Sequence, residues 1–278
     1  MLLSKRKHIV NLTWYVIIGI LLFIVFFPIW WAFLTSIRTP EQIYKAVRLI
    51  PEGLYLKNYI ELFTIHGFNY YFPNSVIVTA ISTLISIVAA FLGAYALSRI
   101  RFPGARILSQ VVLFAYLVPK TVLFLPLFTV MRELKLVNTL YSLIASYPTF
   151  MLPFATWLLL GYFTSIPKEL EESALIDGCS RLQLLFRIVL PVALPGIIAA
   201  TIFSFSMGWK DFLYARVFIS AETKKTLPIG TADLIQGDVY LWGHIMAASI
   251  LTAVPVLIAY GIMQRYVVSG LTAGSVKG

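Results

Sequence analysis

The 278-residue chain holds one cysteine, three histidines and only twelve acidic residues, and charged side chains make up just 12% of it. Each scarcity excludes something. Cys179 stands alone and closes no internal disulfide, so no oxidised framework holds the fold. His8, His66 and His244 are scattered without metal-ligand spacing, and no nucleophile stands beside a base in a pattern suited to covalent catalysis. No G-x-x-x-x-G-K-[ST] occurs, so the chain has no phosphate-cradling loop of its own. No pair of acids within an apolar run suggests a proton relay or a membrane protease. The residues therefore predict no enzyme, and no metal or cofactor bound by this chain.

What takes the place of charge is apolar surface. Hydrophobic residues make up 59% of the chain, against about 45–50% in soluble domains, and the mean hydropathy is +0.86. Apolar runs recur, each long enough to cross a bilayer, which takes about 20 helical residues. The expected fold is an all-α polytopic membrane protein: one transmembrane domain over 1–278, with six spans near 13–35, 74–97, 107–130, 140–162, 192–214 and 245–267. The first run follows Lys5, Arg6 and Lys7. It exceeds a signal peptide's apolar core and no small-x-small cleavage site follows, so it reads as a retained span. Pro119 and Lys120 interrupt the third run. A lysine at mid-bilayer is expensive, so that span is expected to end near Pro119, with 121–135 lying along the outer interface.

The net charge of +10 reads as loop cations meeting anionic lipid headgroups, and nucleic acid is not an expected partner. Lys and Arg divide almost evenly between the two sides. Lys5, Arg6 and Lys7, with Arg99, Arg101 and Arg106, nevertheless sit in short segments, where the positive-inside bias is strongest. This favours cytoplasmic termini, a cytoplasmic loop over 163–191 and tail over 268–278, and external loops at 36–73 and 215–244.

The sequence EESALIDGCSRLQLLFRIVLP, residues 171–191, interrupts the greasy pattern. Ser165, Ile166 and Pro167 suit a helix start, and Glu169, Glu171 and Glu172 then complement the positive end of its dipole. Gly178 can end that helix with positive φ. Ser180 and Gln183 form an S-x-x-Q capping box for a second helix, expected to carry Leu182, Leu185, Phe186 and Val189 on one face. A helix–turn–helix between the fourth and fifth spans can lie on headgroups or dock on a protein. Four acids in nine residues, counting Asp177, suit an anionic membrane poorly, which favours docking.

Glu172-Ser173-Ala174, three residues, Gly178, nine residues, then Ile188-x-Leu190-Pro191 resembles the E-A-A…G…I-x-L-P loop of ABC importer permeases, with Ser173 in place of the first alanine. NSVIVTAISTLISIVAAFLGAYALSRIRFPG and LVPKTVLFLPLF resemble the second span and the P-x6-P segment of sugar importer permeases. YLWGHIMAASILTAVPVLI and YVVSGLTAGSVKG are similar to the maltose-type second subunit. The resemblance covers nearly the whole chain. It implies a bacterial or archaeal inner-membrane subunit forming half of a path for a sugar or oligosaccharide. Its loop residues Glu172, Ser173, Ala174, Asp177, Gly178, Ile188, Leu190 and Pro191 would dock on one of two cytoplasmic ATPase subunits, which hold the ATP and Mg. Gly274, Lys277 and Gly278 of the tail would reach the same motor. A second permease subunit, in a heterodimer, and an extracytoplasmic solute-binding protein complete the implied assembly.

Trp209, Lys210 and Asp211 resemble the family's W-N-[DE]-F segment, with Lys210 where asparagine is usual. Two readings stand: an intramembrane polar site, or a span that ends earlier and leaves these residues at the outer headgroups. Neighbours on a helix do not face each other, so Lys210 and Asp211 are not expected to pair. Ser82, Thr83, Ser86, Tyr147, Thr149, Ser204 and Ser206 could meet a sugar or serve close helix packing; Tyr147 and Ser204 join the path candidates. Tyr44, Tyr55, Tyr59, Phe63, Tyr70, Tyr71 and Phe72 read as an interfacial belt or a docking surface. The competing class, an ion-coupled transporter working alone, would need intramembrane carboxylates and often inverted repeats. Asp211 is its only acid, and no repeat is visible.

Overall fold

A computed structural model describes the backbone of residues 2–45, 50, 53–236 and 239–275, with side chains from Trp14 to Gln264 within those segments, 236 and 239 excepted. In chain order the helices are α1 (Leu2–Ser36), α2 (Pro40–Tyr44), α3 (Lys57–Thr64), α4 (Phe68–Arg99), α5 (Ala105–Leu117), α6 (Lys120–Glu133), α7 (Leu140–Ser146), α8 (Pro148–Ser165) and α9 (Glu169–Ile176). There follow α10 (Arg181–Gln183), a π-helical stretch Leu184–Val189, α11 (Leu190–Trp209), α12 (Leu213–Phe218), α13 (Leu227–Ala232) and α14 (Trp242–Ser275). A two-residue antiparallel ladder sets Ile235 opposite Tyr240. Among the described residues, five helical tracks are long and apolar enough to cross a membrane, or six if the bent pair α5–α6 is one span.

Local chemistry sets the breaks. A residue before proline is driven to extended backbone, and Val118 is extended (φ −67°, ψ 122°), so α5 stops and α6 leaves at 97°. Thr39 and Gln42 close a capping box over α2, with Pro40 in its first turn. Pro28, Pro73, Pro153, Pro195 and Pro255 lie inside long helices. Membrane helices tolerate this because nearby hydroxyls and neighbouring helices satisfy the freed carbonyls.

The chain divides into two compact units. In the first (1–68 and 231–254), Asn58 is buried and its amide donates to the carbonyls of Ser36 (2.8 Å) and Arg38 (3.0 Å), tying α3 to the end of α1. Gly243 lies directly beneath that amide: a Cβ there would stand 2.7 Å from Nδ2. The apolar length of α1 itself is exposed, as suits a helix facing lipid.

In the second unit (69–230 and 255–278), two apolar clusters lie along the helices. One gathers Phe91, Ala94, Leu159, Phe163, Ala174, Leu184, Leu185, Val189 and Ala193, and so joins α4, α8 and α11 to the helix–turn–helix. The other gathers Val78, Met131, Leu143, Tyr147, Met151, Tyr214 and Phe218. Small residues let these helices approach closely: a Cβ on Gly196 of α11 would be 2.6 Å from the ring of Tyr162 in α8.

Candidate functional site

The helix–turn–helix forms as its residues dictate. α9 carries Glu169, Glu171 and Glu172 in its first turn, Gly178 takes φ +84°, and Ser180 and Gln183 exchange both capping bonds (2.9 and 3.3 Å). The second arm departs from the expected stripe. Leu184, Leu185 and Val189 are buried, whereas Leu182 is 69% exposed and Phe186 56%. The cause is the π-helical stretch Leu184–Val189, which widens the turn and rotates the buried face away from ordinary helical spacing.

The four acids also divide. Glu169, Glu172 and Asp177 are exposed, but Glu171 is buried and belongs to the scaffold, not to a docking face. Its Oε1 accepts from Arg99 Nε at 2.6 Å and its Oε2 from the Tyr95 hydroxyl at 3.1 Å; Arg99 Nη2 donates to the Ile166 carbonyl at 2.8 Å. The two charged side chains are only 7% and 10% exposed. The elbow is thus clamped to the end of α4 by a buried ion pair and packed on α8 and α11 by Ala174, Leu184, Leu185 and Val189. Its outer side does the opposite. Ile176, beside the turn, is 86% exposed, and Leu175, Leu182 and Phe186 are exposed with it. Gly178 has open space where a side chain would stand.

The other polar site lies where α11 ends. α11 stops at Trp209, short of the expected 214, and Lys210 is exposed. Asp211 is buried, its Oδ1 accepting from Lys120 Nζ at 2.9 Å and its Oδ2 from the amides of Tyr214 (3.1 Å) and Ala215 (3.4 Å). One carboxylate therefore caps α12 and binds the first residue of α6. The Tyr214 hydroxyl donates back to the Lys120 carbonyl at 3.0 Å, and the ammonium sits 5.4 Å from the Phe150 ring centroid. Headgroup exposure of Asp211 is corrected by this burial. Trp209 stacks on Phe205 at 5.4 Å, and Tyr147 and Ser204 are buried, the Ser204 hydroxyl without a partner among the described residues. Trp209, Asp211 and Tyr147 line one packed region; Lys210 alone of these candidates reaches the surface. Tyr71 and Phe72, read as belt or docking residues, are partly core: Tyr71 hydrogen-bonds Glu222 and Phe72 packs edge-on to Trp209.

This constellation of a clamped, outward-greasy elbow and a buried charge pair at the far cluster can be set against known proteins. A family model described as "Binding-protein-dependent transport system inner membrane component" matches residues 89–272. The chain belongs to that family. The permease is 37% identical over 278 residues to the inner membrane ABC transporter permease protein YcjP of Escherichia coli K12, covering 99% of each. It is 34% identical to the trehalose/maltose transport system permease protein MalG of Thermococcus litoralis, covering 98% of this chain and 99% of that one. A chain from a crystal structure of a bacterial ABC transporter importing the polysaccharide alginate superposes with a TM-score of 0.77 over 94% of this permease and 97% of that chain, at 24% identity, which shows the shared fold.

Within the loop pattern, Glu172, Ser173, Asp177, Gly178 and Pro191 are exposed, Ala174 is buried, and Ile188 and Leu190 are half-buried against the first cluster. Gly274 falls near the end of α14, in a segment whose side chains are not described; Lys277 and Gly278 lie outside the described residues. Two partners escaped the sequence reading: Arg99 for Glu171 and Lys120 for Asp211. For the second pair the signal was present, since Lys120 and Asp211 both fall in apolar runs, where an acid and a base must find each other; for Arg99 and Glu171, outside the runs, the sequence held none. Among the described residues, no three His, Cys, Asp or Glu side chains are placed to hold a metal.

The first unit gathers histidines that spacing could not connect. His244 Nε2 lies 2.8 Å from Glu61 Oε2, and the His66 and His244 rings meet edge-on at 5.0 Å. The His244 hydrogen bond holds the Glu61 carboxyl below its ordinary range, and burial pushes the His66 imidazole down. A histidine depressed in the folded state binds fewer protons there than unfolded, so its stabilisation is lost as pH falls below about 6.5. The Glu61 contribution is present above about 4.5 and is lost below it. Between about pH 7 and pH 5 the thermal midpoint of the purified permease should therefore fall, and His66→Gln should flatten that slope. Parallel profiles for the two proteins would contradict the assignment to His66.

Proposed function

We propose that this permease forms half of the translocation path of an ATP-driven sugar importer, and that the 163–191 elbow receives the motion of a separate ATPase subunit. The observation that carries the reading is the two-sided character of the elbow. Inward it is fixed to α4, α8 and α11 by the Arg99–Glu171 pair and the Ala174–Leu184–Val189 packing. Outward it presents Ile176, Leu182 and Phe186 beside Glu172 and Asp177, the mixture a soluble partner's groove would cover. A partner that binds this face differently in two states biases the helices it is fixed to.

In this reading the ATP and Mg belong to two cytoplasmic ATPase chains, and the termini are cytoplasmic. A second permease completes the path, a solute-binding protein delivers the sugar from outside, and the tail at Gly274, Lys277 and Gly278 touches the motor. Relatives described as trehalose/maltose and diacetylchitobiose permeases support a carbohydrate solute. In this reading Lys210, which is exposed, meets the solute, and Tyr147, Ser204, Trp209 and Asp211, which are buried, support the path behind it.

Gly178→Asp tests the docking. Aspartate is among the side chains that tolerate left-handed backbone, so folding should suffer by only about 1 kcal/mol. The new side chain would project into the open space where a partner seats. The assembled variant should lose uptake by about tenfold or more, the equivalent of one weakened contact, with its insertion and thermal midpoint nearly intact. Undiminished uptake would count against the elbow as the coupling element.

A further inference from the structure

The second unit contains a cavity of about 520 Å³ between the turn at 100–104 and the start of the elbow. Its walls include four cations, Arg99, Arg101, Arg106 and Lys168, and no carboxylate. Arg99 is engaged by Glu171. The side chains of Arg101, Arg106 and Lys168 are exposed, and none has a hydrogen-bond or ion-pair partner among the described residues. Three exposed like charges around one open hollow raise its positive potential and favour an anion there.

Two further features say which anion. α5 starts at the cavity, with Gly104 as its N-cap (φ +89°), no side-chain cap and no acid in its first turn, so its dipole adds to the positive field. Directly beyond, Ile107, Val111 and Phe114 form an exposed apolar stripe along α5, at the spacing of one helix face. A cationic hollow at the polar end of a greasy helix has the shape of a phospholipid: phosphate at one end, acyl chain along the other.

We propose that this cavity binds the phosphate-bearing headgroup of an anionic phospholipid, with an acyl chain lying along the Ile107–Val111–Phe114 stripe. Because Arg99 in its wall also holds Glu171, and Lys168 precedes α9, the bound lipid borders the elbow.

Native mass spectrometry of the assembled transporter in mild detergent, titrated with dimyristoyl phosphatidylglycerol, with phosphatidylcholine of the same chains, and with inorganic phosphate, tests the site. Phosphatidylglycerol should be retained in preference to phosphatidylcholine, and millimolar phosphate should not displace it. Arg101→Gln, Arg106→Gln and Lys168→Gln should each weaken phosphatidylglycerol binding about fivefold, while Arg101→Lys and Arg106→Lys should keep it. All three positions are exposed, so an unchanged thermal midpoint will separate lost binding from lost fold. Equal retention of the two lipids, no retained anionic lipid in the assembled transporter, or undiminished binding by the triple Gln variant would overturn the proposal. Displacement by phosphate alone would overturn the lipid assignment in favour of a free-anion site.

Discussion

Glu171→Ala should destabilise the permease by about 3–4 kcal/mol, because it leaves a buried guanidinium without its counter-charge. Arg99 is only 7% exposed and cannot reach water without pulling α4 away from α9. The Tyr95 hydroxyl and the docking of Ala174 suffer in the same step. Surface ion pairs give no such effect; removing an exposed partner costs under about 1 kcal/mol, so Glu172→Ala, one residue away and exposed, is the internal control. The double variant Arg99→Met with Glu171→Leu should recover most of the loss, since an apolar pair of similar volume replaces a buried ion pair at little cost. Thermal unfolding of the wild type and the three variants in detergent checks these expectations. A Glu171→Ala loss no larger than that of Glu172→Ala would remove the clamp from the account. If the elbow receives the ATPase motion as proposed, the single variant should leave ATP hydrolysis running while uptake falls, because the elbow would no longer be fixed to the bundle.

The second large effect belongs to Asp211, and it is asymmetric. The carboxylate is wholly buried whereas Lys120 is 39% exposed. Lys120→Met therefore strands a charge beside Phe150 and Tyr214 with two backbone amides and the Tyr147 hydroxyl, but no cation, to satisfy it, and should cost about 3 kcal/mol. Asp211→Asn removes the charge and keeps an acceptor for the α12 amides, and the ammonium can turn to water. That change should cost about 1–2 kcal/mol. The double variant should be no worse than Lys120→Met alone. If Asp211→Asn proves the more damaging, the charge left by Lys120→Met is not stranded, and this account of the pair fails.

Much of this architecture is written in the chain. The run lengths, the acid-rich start of α9, the positive φ at Gly178 and the Ser180 capping box follow from local chemistry, and local chemistry is what a sequence displays. The loop pattern pointed to the family for the same reason, being a fixed spacing of residues with fixed backbone roles. What stayed hidden depends on registers set by packing. With the π-helical stretch, Leu185 and Val189 keep their expected burial while Leu184 replaces Leu182 and Phe186 on the buried face, and nothing in a 3.6-residue period announces it. Glu171 looked like its neighbours Glu169 and Glu172 because its distinction is a partner seventy-two residues away. His66 and His244 looked unrelated for the same reason.

Crosslinking from the elbow reaches the coupling assignment with least inference. Cysteine placed at Ile176, the most exposed apolar residue of the elbow, in a Cys179→Ser background of the assembled transporter should react only from the cytoplasmic side. A short bifunctional reagent should join it to the ATPase chain, with a yield that changes when ATP is bound. Labelling from the external side, or uptake driven by the permease pair with no ATPase present, would contradict it.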